Sequence, residues 1–473
     1  MAKALKSNYG LIGTAVFLLY IMLYHPPLVS ASLPIPVEGC PMAHCDPFMS
    51  DNNFMMPPLG SSIGTVWQKN SMGGEQQGSY YGLGCSSNTV VVACTYGSLS
   101  RPGLGQNLIV YDFDGNALWN SGPESSLNNI AYTSAPLFDA DGNVYVADNI
   151  RIVKYSPAGT EIWRSNFPSP SAPISPVPTE SGYIILGTIS GYIYAYDMSD
   201  GSLLGSLLLK DNPSDSYYYQ TRNTPAVVGD KIYISSHRSD DYKHGALFAL
   251  RLDPSNQINP LQISWKYDFA GPSGASPLVV ATPTETKIYF DGDNIQLDGS
   301  ALALIYGISD IVGDYPDTSS LIFQKRAFGK PGRIVASFAL DPRGGFWTYV
   351  GVSPWLQYRD SASGIAAANN NINVDALIND PDYIHLPMSA MSIVGTPTNP
   401  IMIVSAITTV AGGNQYVIAI DLVSKTLLWK VQTNGIGDTE NTAGQFPILS
   451  KNGEQRVIFS TRNLGARAIG LLP

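Results

Sequence analysis

The sequence has few charged residues and no apolar run long enough to cross a membrane as a helix. Only 14% of its 473 residues are charged. The longest apolar run, residues 11–24, has about fourteen positions, whereas a spanning helix needs about twenty. Lys and Arg form no cluster, and the formal net charge is −10. These features argue against a nucleic-acid partner and against contact with a membrane through a basic patch.

The short apolar run has the features of an export signal. Lys3 and Lys6 precede it, and Val29-Ser30-Ala31 offers small residues at a cleavage position. We interpret residues 1–31 as a secretory signal peptide, with an uncleaved N-terminal anchor as the alternative. Cleavage would remove two Lys and no acid, which takes the net charge from −10 to −12. We therefore expect a periplasmic or extracellular protein, tethered to a membrane only if this segment is retained.

Cysteine is scarce, and half of it lies in one Pro- and Met-rich segment, residues 32–61. The four cysteines are Cys40, Cys45, Cys85 and Cys94, which allow three pairings. Disulfides suit an exported protein. The alternative is a soft-metal site for copper in the same segment, because thiolate, thioether and imidazole are ligands that copper prefers. Its ligands would be Cys40, Met42, His44 and Cys45.

No familiar catalytic motif is present. The sequence has no G-x-S-x-G, H-E-x-x-H or G-x-x-x-x-G-K-[ST], which are the patterns of a hydrolase elbow, a zinc protease and a phosphate-binding loop. The residues alone therefore leave open whether the protein is an enzyme.

Residues 135–168 show what the chain does contain. Four short runs rich in Val, Ile and Tyr are separated by Asp141-Gly142, Asp148-Asn149 and Pro157-Ala158-Gly159. Asp-Gly is typical of a tight hairpin, and the runs suit a pleated surface. The unit is predicted to be a four-stranded antiparallel meander. Such a sheet cannot bury both of its faces alone, so copies of it are expected.

The copies occur about every 40 to 60 residues. A Ser/Thr-x-Pro or similar start precedes an apolar run at Pro136, Pro176, Pro225, Pro277, Pro397 and Pro447, Phe338 takes the same place, and Leu83 marks a degenerate first copy. Several units end in a turn followed by Trp, which is expected to pack between neighbouring sheets. These predicted docking residues are Trp67, Trp119, Trp163, Trp265 and Trp429.

The two ends of the repeat region complement each other. Ile63–Lys69 reads as a lone fourth strand, and the C-terminal segment supplies three strands and then stops. Closing the last sheet with the N-terminal strand removes exposed edges. We therefore predict an all-β fold: an eight-bladed β-propeller of four-stranded antiparallel blades over residues 62–473. Deletion of residues 62–70 is expected to destabilise it more than deletion of 32–55, if that arm is held only by a short disulfide loop.

The Asp112 to Gly115 to Trp119 spacing resembles the tryptophan-docking repeat of the pyrroloquinoline-quinone-like (PQQ-like) propellers. This superfamily includes quinone-dependent dehydrogenases and non-catalytic proteins such as the barrel-assembly lipoprotein of bacterial outer membranes. The dehydrogenases carry adjacent cysteines over the cofactor, and no two cysteines are adjacent here. The resemblance therefore implies the fold first, and an enzyme less directly.

Candidate site residues lie in the unequal loops expected at the propeller mouth, over blades four to six. Tyr217–Tyr219 could cover the rim, and His237 and His244 could share a metal or be solvated. Asp291, Asp293 and Asp298 could bind calcium or simply form turns. In the quinoprotein reading, Trp355 would stack on the quinone, Arg222 or Arg238 would bind its carboxylates, and Asp291 or Asp293 would bind calcium.

Two main functions follow. The leading hypothesis is an exported, non-catalytic binding or scaffold propeller that takes an envelope or extracellular protein, or a small molecule, at its mouth. The alternative is a PQQ-dependent dehydrogenase, with a copper-binding redox protein as a third reading.

Overall fold

The computed structural model describes residues 33–36, 38–69, 81–97, 107–121, 127, 134–273, 275–295, 301–311, 319–326, 338–349, 353–381, 391–406, 414–433, 445–461 and 465–473. The predicted signal peptide, residues 1–31, lies outside this part of the chain. Within it, no helix is long and apolar enough to cross a membrane.

The described residues form eight β-sheets, arranged as the eight blades of a propeller. Before the first blade lie β1 (Asn52–Asn53) and β2 (Ile63–Lys69). Blades one to four contain β3 (Tyr81–Ser87), β4 (Val92–Gly97), β5 (Leu108–Tyr111), β6 (Ala117–Asn120); β7 (Leu137–Phe138), β8 (Val144–Ala147), β9 (Arg151–Tyr155), β10 (Glu161–Asn166); β11 (Val177–Pro178), β12 (Tyr183–Gly187), β13 (Tyr192–Asp197), β14 (Leu203–Leu208); and β15 (Tyr219–Gln220), β16 (Ala226–Val228), β17 (Lys231–Arg238), β18 (His244–Leu252), β19 (Leu261–Ala270).

Blades five to eight follow the same order. They contain β20 (Leu278–Ala281), β21 (Glu285–Ile295), β22 (Ala301–Ile311), β23 (Ser319–Arg326); β24 (Ala339–Leu340), β25 (Phe346–Tyr349), β26 (Trp355–Arg359), β27 (Ile372–Asn373); β28 (Met391–Thr396), β29 (Asn399–Ala406), β30 (Gln415–Asp421), β31 (Thr426–Thr433); and β32 (Ile448–Lys451), β33 (Glu454–Thr461), β34 (Gly465–Leu471). One short helix, α1 (Val374–Ile378), follows β27, with Asn373 as its N-cap.

The predicted eight-bladed propeller is confirmed, including its closure. Strand β2 pairs antiparallel with β34, from Ile63 opposite Leu471 to Lys69 opposite Ala466. The last blade therefore combines one strand from before the first blade with three from the C-terminus. This pairing covers the edge that β34 would otherwise expose.

One predicted blade start is wrong. Pro397 does not precede the first strand of blade seven, because that strand is Met391–Thr396 and Pro397 lies in the turn after it. A Thr-x-Pro sequence also suits a turn between two strands. The pattern alone therefore could not distinguish the two positions.

Tryptophans on the outer strands join neighbouring blades. The indole N–H of Trp163 donates to the carbonyl of Met198 in the next blade, and a Cβ on Gly201 would lie only 2.5 Å from the indole ring. Trp67 and Trp119 make the same contact with the carbonyls of Phe113 and Pro157. The glycine in each turn leaves room for the ring, which explains the Gly-to-Trp spacing of the repeat.

The other junctions depart from this arrangement, and the outer strands of blades three and six, β14 and β27, carry no aromatic ring. Trp429 donates to the carbonyl of Pro58, so the segment before β2 takes the place of a hairpin turn in blade eight. In blade five Phe323 stands where Trp is expected, and a Cβ on Gly364 of blade six would lie 2.3 Å from its ring. Trp265 is buried, with no hydrogen-bond partner for its indole N–H in the described part of the chain.

Candidate functional site

The mouth of the propeller is the face that carries the turns between second and third strands. It is tallest over blades four and five. There β21 and β22 each have 11 residues, against four in β8 and five in β9 of blade two. The added pairs, such as Ile295 with Ala301, lie at the end of the hairpin that faces the mouth. The unequal mouth expected from the loop lengths is therefore built from lengthened strands.

Blade four has an additional strand at this face. Strand β15 pairs with β17, with Tyr219 opposite Arg238 and Gln220 opposite His237. The connection from blade three thus brings a run of tyrosines and Arg222 to the mouth. Pairing fixes the backbone on both sides of His237, so the polar side chains there stand on a rigid support.

The tyrosines close the rim of blade four over a partly exposed cluster of three charged groups. The Lys266 ammonium lies 2.5 Å from the Asp211 carboxylate and 2.9 Å from that of Asp268. The hydroxyls of Tyr217 and Tyr219 donate to Asp211 at 2.7 and 3.0 Å. Burial opposes ionisation of Asp211, but the hydrogen bonds from Lys266 and the tyrosines hold its pKa below the usual value. These groups satisfy one another, so the cluster supports the rim.

Arg238 belongs to the same rim. Its guanidinium lies 4.0 Å from the centre of the Tyr217 ring and forms a 2.7 Å ion pair with Asp240. His244, next in the rim, faces Asp268 with 3.2 Å between Nε2 and Oδ1. Both side chains therefore already have partners within blade four.

The two histidines do not share a site. His237 pairs across the strands with Gly245, so His244 falls one position out of register and its side chain faces the other side of the sheet. His237 instead lies edge-on to the ring of Tyr242, with 5.0 Å between centroids. A common metal bound by His237 and His244 would need them on one face.

His237 and Arg222 border a small pocket beside that rim. The pocket has a volume of about 40 Å³ and is also lined by Asn223, Ser236 and Ser273. Burial, together with the charge of Arg222, lowers the pKa of His237 to about 4. The imidazole is therefore neutral near pH 7. Arg222 is exposed and forms no ion pair within the part of the chain that the structure describes.

The axis of the propeller is filled by the chain itself. Residues 40–53, which we name the axial arm, are almost all buried against the innermost strands. Backbone N–H groups of six blades donate to carbonyls of the arm, and β1 pairs in parallel with β28. The donor and acceptor pairs are Ser87 to Cys40, Phe138 to Pro41, Val227 to Pro47, Val279 to Phe48, Leu340 to Ser50, and Ile393 to Asp51.

The axial arm holds the predicted soft-metal residues. Cys40 and Cys45 form a disulfide, as do Cys85 and Cys94, so neither arm cysteine presents a thiolate. Met42 is fully buried in the core of the blades. His44 faces Asp51, with Nδ1 and Oδ1 3.0 Å apart. A copper ion would therefore require this disulfide to be reduced.

A second, larger pocket lies on the face opposite the mouth. It has a volume of about 820 Å³ and lies between the arm region and the first turns of blades three and eight. Its lining is mostly apolar and includes Ile35, Phe54 and Met56, with Glu180 at its edge. It is larger than the blade-four pocket, and its lining includes Asn52 and Asn53, each with one buried amide atom that has no partner among the described residues.

Part of this sequence resembles a known protein family. A family model described as outer membrane protein assembly factor BamB matches residues 63–281, a little under half of the chain. The predicted resemblance to the PQQ-like propellers is confirmed over this part of the chain. Among curated proteins, none matches this sequence.

Solved structures agree with this superfamily fold. A europium-containing methanol dehydrogenase covers 93% of this chain and 99% of its own at 10% identity, with a TM-score of 0.58. The match to the quinohemoprotein alcohol dehydrogenase of Comamonas testosteroni covers 93% of this chain and 81% of the dehydrogenase, at 11% identity and a TM-score of 0.55. The match to the computationally designed protein Ika8 covers 87% of this chain and 100% of Ika8, at 11% identity and a TM-score of 0.52. At such identities these likenesses show the fold alone.

The residues predicted for a quinone site lie on blades four, five and six. Trp355 lies on the third strand of blade six and is half exposed, whereas Arg222 and Arg238 belong to blade four. Asp291 is buried and accepts hydrogen bonds from Ser273 Oγ at 2.6 Å and from the N–H of Ala275 at 3.1 Å. The side chain of Asp293 lies outside the described residues. A pocket of about 40 Å³ beside Arg222 has room for about one water, so a three-ring quinone does not fit there.

Sequence reasoning missed the main occupant of the axis. Pro41 and Pro47 accept hydrogen bonds through carbonyls and have no N–H of their own. A Pro-rich stretch with buried Asp46 and Asp51 between Met residues was the available signal. Such a segment has few backbone N–H donors but keeps its carbonyl acceptors. It therefore suits a row of inner strands whose N–H groups would otherwise lack hydrogen-bond partners.

Proposed function

We propose that this protein is an exported, non-catalytic propeller that binds a protein partner at the mouth over blade four. The observation that carries the proposal is the axial arm. It fills the axis, where a propeller enzyme of this superfamily would be expected to hold its cofactor. Among the described residues, the rim of blade four presents an accessible polar surface at the mouth.

The composition of that rim supports protein binding. Tyr242 is exposed beside His237, and Arg222 offers an unpaired guanidinium. Tyr and Arg are the residue types enriched where proteins bind most tightly. Loops on a rigid scaffold suit such a role.

Export is supported by the two disulfides. Cys40–Cys45 and Cys85–Cys94 both persist only where thiols are oxidised. The N-terminal apolar run and the similarity of residues 63–281 to an outer-membrane assembly factor point in the same direction. We place the function in the periplasm or outside the cell.

Position-specific photo-crosslinking tests the proposal. A photoreactive amino acid is placed at Tyr242 on the mouth, at Phe54 in the larger pocket, or at Val423 on a turn of the opposite face. All three side chains are more than 40% exposed, which makes them matched reporters. We expect one discrete adduct in envelope extract from position 242 only.

Two results would overturn it. One is equal crosslinking at all three positions, or crosslinking confined to Phe54. The other is turnover of an alcohol or sugar by the mature protein in a dye-reduction assay with added PQQ and calcium. That second result would favour the dehydrogenase reading.

A further inference from the structure

His237 is a buried polar side chain whose ring nitrogens lack a protein partner. It is 6% exposed, and the Tyr242 ring lies edge-on to it. Within the described residues its nitrogens form no hydrogen bond. The ring nitrogens are not among the fully enclosed unpaired polar atoms of the described residues, so they stay accessible to an incoming ligand.

The polar neighbours of His237 direct their own protons elsewhere. Asn223 Nδ2 donates to Ser235 Oγ at 2.8 Å, Ser236 Oγ donates to the carbonyl of Ala246 at 2.9 Å, and Ser273 Oγ donates to Asp291. The pocket wall is thus internally satisfied. The ring of His237 is left directed into the space that these residues border.

Arg222 supplies a second unpaired group at this pocket. Nearby Arg238 is paired with Asp240 at 2.7 Å. Arg222 forms neither an ion pair nor a hydrogen bond with any described residue, although the chain has 37 acids and only 27 Lys and Arg. A planar guanidinium binds a carboxylate with two parallel hydrogen bonds.

We infer that Arg222 and His237 form a carboxylate-binding subsite that receives an acidic side chain of the protein partner. Arg222 holds the two carboxylate oxygens, and a ring N–H of His237 donates to one of them. The 40 Å³ pocket admits a carboxylate head but not the larger groups behind it. The inference rests on the proposed binding function and specifies the chemistry by which the mouth recognises its partner.

The charges around His237 determine how this site responds to ligand. Arg222 faces it from the blade-three connection, Tyr242 from the turn after β17, and Asp291 stands behind Ser273. Arg238, next on β17, is directed to Asp240. A bound carboxylate would stabilise the imidazolium, so the pKa of His237 must rise on binding. Affinity then increases as pH falls below that raised value, towards the pKa of about 4 in the free protein.

NMR of the mature chain with ¹³C-labelled histidine rings tests this coupling, with the His237 signal assigned by His237→Asn. The probes are N-acetyl-glutamate amide for an acidic side chain, N-acetyl-alanine for a chain terminus, N-acetyl-glutamine amide as the neutral analogue, and inorganic phosphate. We expect glutamate amide to shift the His237 signal and raise its pKa from about 4, and the neutral analogue to do neither. Arg222→Gln should weaken binding roughly 10- to 100-fold.

Arg251→Gln is the matched control, because Arg251 is an exposed arginine on β18 at the opposite end of the same blade. It should leave the titration unchanged. The inference is overturned if N-acetyl-glutamate amide does not shift the His237 signal, or if the neutral N-acetyl-glutamine amide shifts it equally. It is also overturned if N-acetyl-alanine or phosphate binds more tightly than N-acetyl-glutamate amide, or if Arg251→Gln weakens binding as much as Arg222→Gln. Failure of crosslinking at position 242 despite a normal titration would count against the proposed function alone.

Discussion

His44 and Asp51 face each other in the axis of the propeller, with Nδ1 and Oδ1 3.0 Å apart. A third ionisable residue of the arm, Asp46, lies close by and accepts hydrogen bonds from the N–H groups of Phe48 and Ser50. All three side chains are enclosed by the blades. The arm thus places ionisable groups where water is largely excluded, so its stability must depend on their protonation.

The first prediction concerns pH. Burial raises the pKa of both Asp46 and Asp51 from 3.8 to about 6. The folded protein therefore holds protons that the unfolded chain releases. Proton binding by these carboxyls makes its full contribution to the free energy of unfolding below about pH 4. That contribution, on the order of 2 kcal/mol per carboxyl, is lost as pH rises to about 6. Urea unfolding between pH 4 and 7 measures it.

Asp51→Asn should flatten this part of the stability profile, because an amide does not titrate. Asp200→Asn is the control, since Asp200 lies in an exposed turn. A profile that stays unchanged in Asp51→Asn, or that rises between pH 4 and 6 in the parent protein, would contradict the assignment of the shift to the arm.

The second prediction concerns the tryptophan junctions. Trp163→Ala removes a buried ring and leaves the Met198 carbonyl without the indole N–H. We expect a loss of about 3–5 kcal/mol in the free energy of unfolding. Trp355→Ala should change it by less than about 1 kcal/mol, because that ring is 40% exposed. Equal losses in denaturant melts would show that the contact with the next blade is not what makes Trp163 stabilising.

The repeat could be predicted from sequence because it is local. Several turns have glycine with a positive φ, as at Gly159 with φ of 80°, and several outer strands carry a ring that packs on the turn of the next blade. Phe323 was missed because it performs the docking role with a different residue type. The available sequence signal was its partner Gly364, which follows Asp360 in a turn.

The axial arm could not be predicted in the same way. Its hydrogen bonds join Pro41, Pro47 and Asp51 to three different blades, which are brought together only when the ring closes. No periodicity within residues 40–53 reflects that arrangement. The pocket of Arg222 and His237 has the same origin, because it depends on the pairing of β15 with β17.

The third prediction concerns the arm disulfide. Cys40→Ser with Cys45→Ser should lower stability by about 2 kcal/mol, as expected for a short closed loop. It should also make the arm sensitive to protease at temperatures where the blades resist, because the constrained turn around Met42 and His44 would loosen. Limited proteolysis followed by mass spectrometry locates the first cut. Cys85→Ser with Cys94→Ser is the control, and first cuts within the blades in both variants would contradict the prediction.

The fourth prediction compares the two N-terminal segments. Deletion of residues 62–70 was expected to be far worse than deletion of 32–55, provided that the arm was held only by a disulfide loop. That condition does not hold, since the arm accepts hydrogen bonds from six blades and buries Met42 and Met49 in the core. Removing it leaves inner-strand N–H groups unpaired and opens a cavity along the axis, and both effects are strongly destabilising. Removing β2 uncovers β34 and takes Trp67 out of its junction, which should also favour aggregation.

We therefore expect both truncations, made behind an intact export signal, to melt well below the parent. The β2 deletion should in addition aggregate at a concentration where the arm deletion stays monodisperse by light scattering. An arm deletion that melts with the parent would show that the axis does not need its occupant.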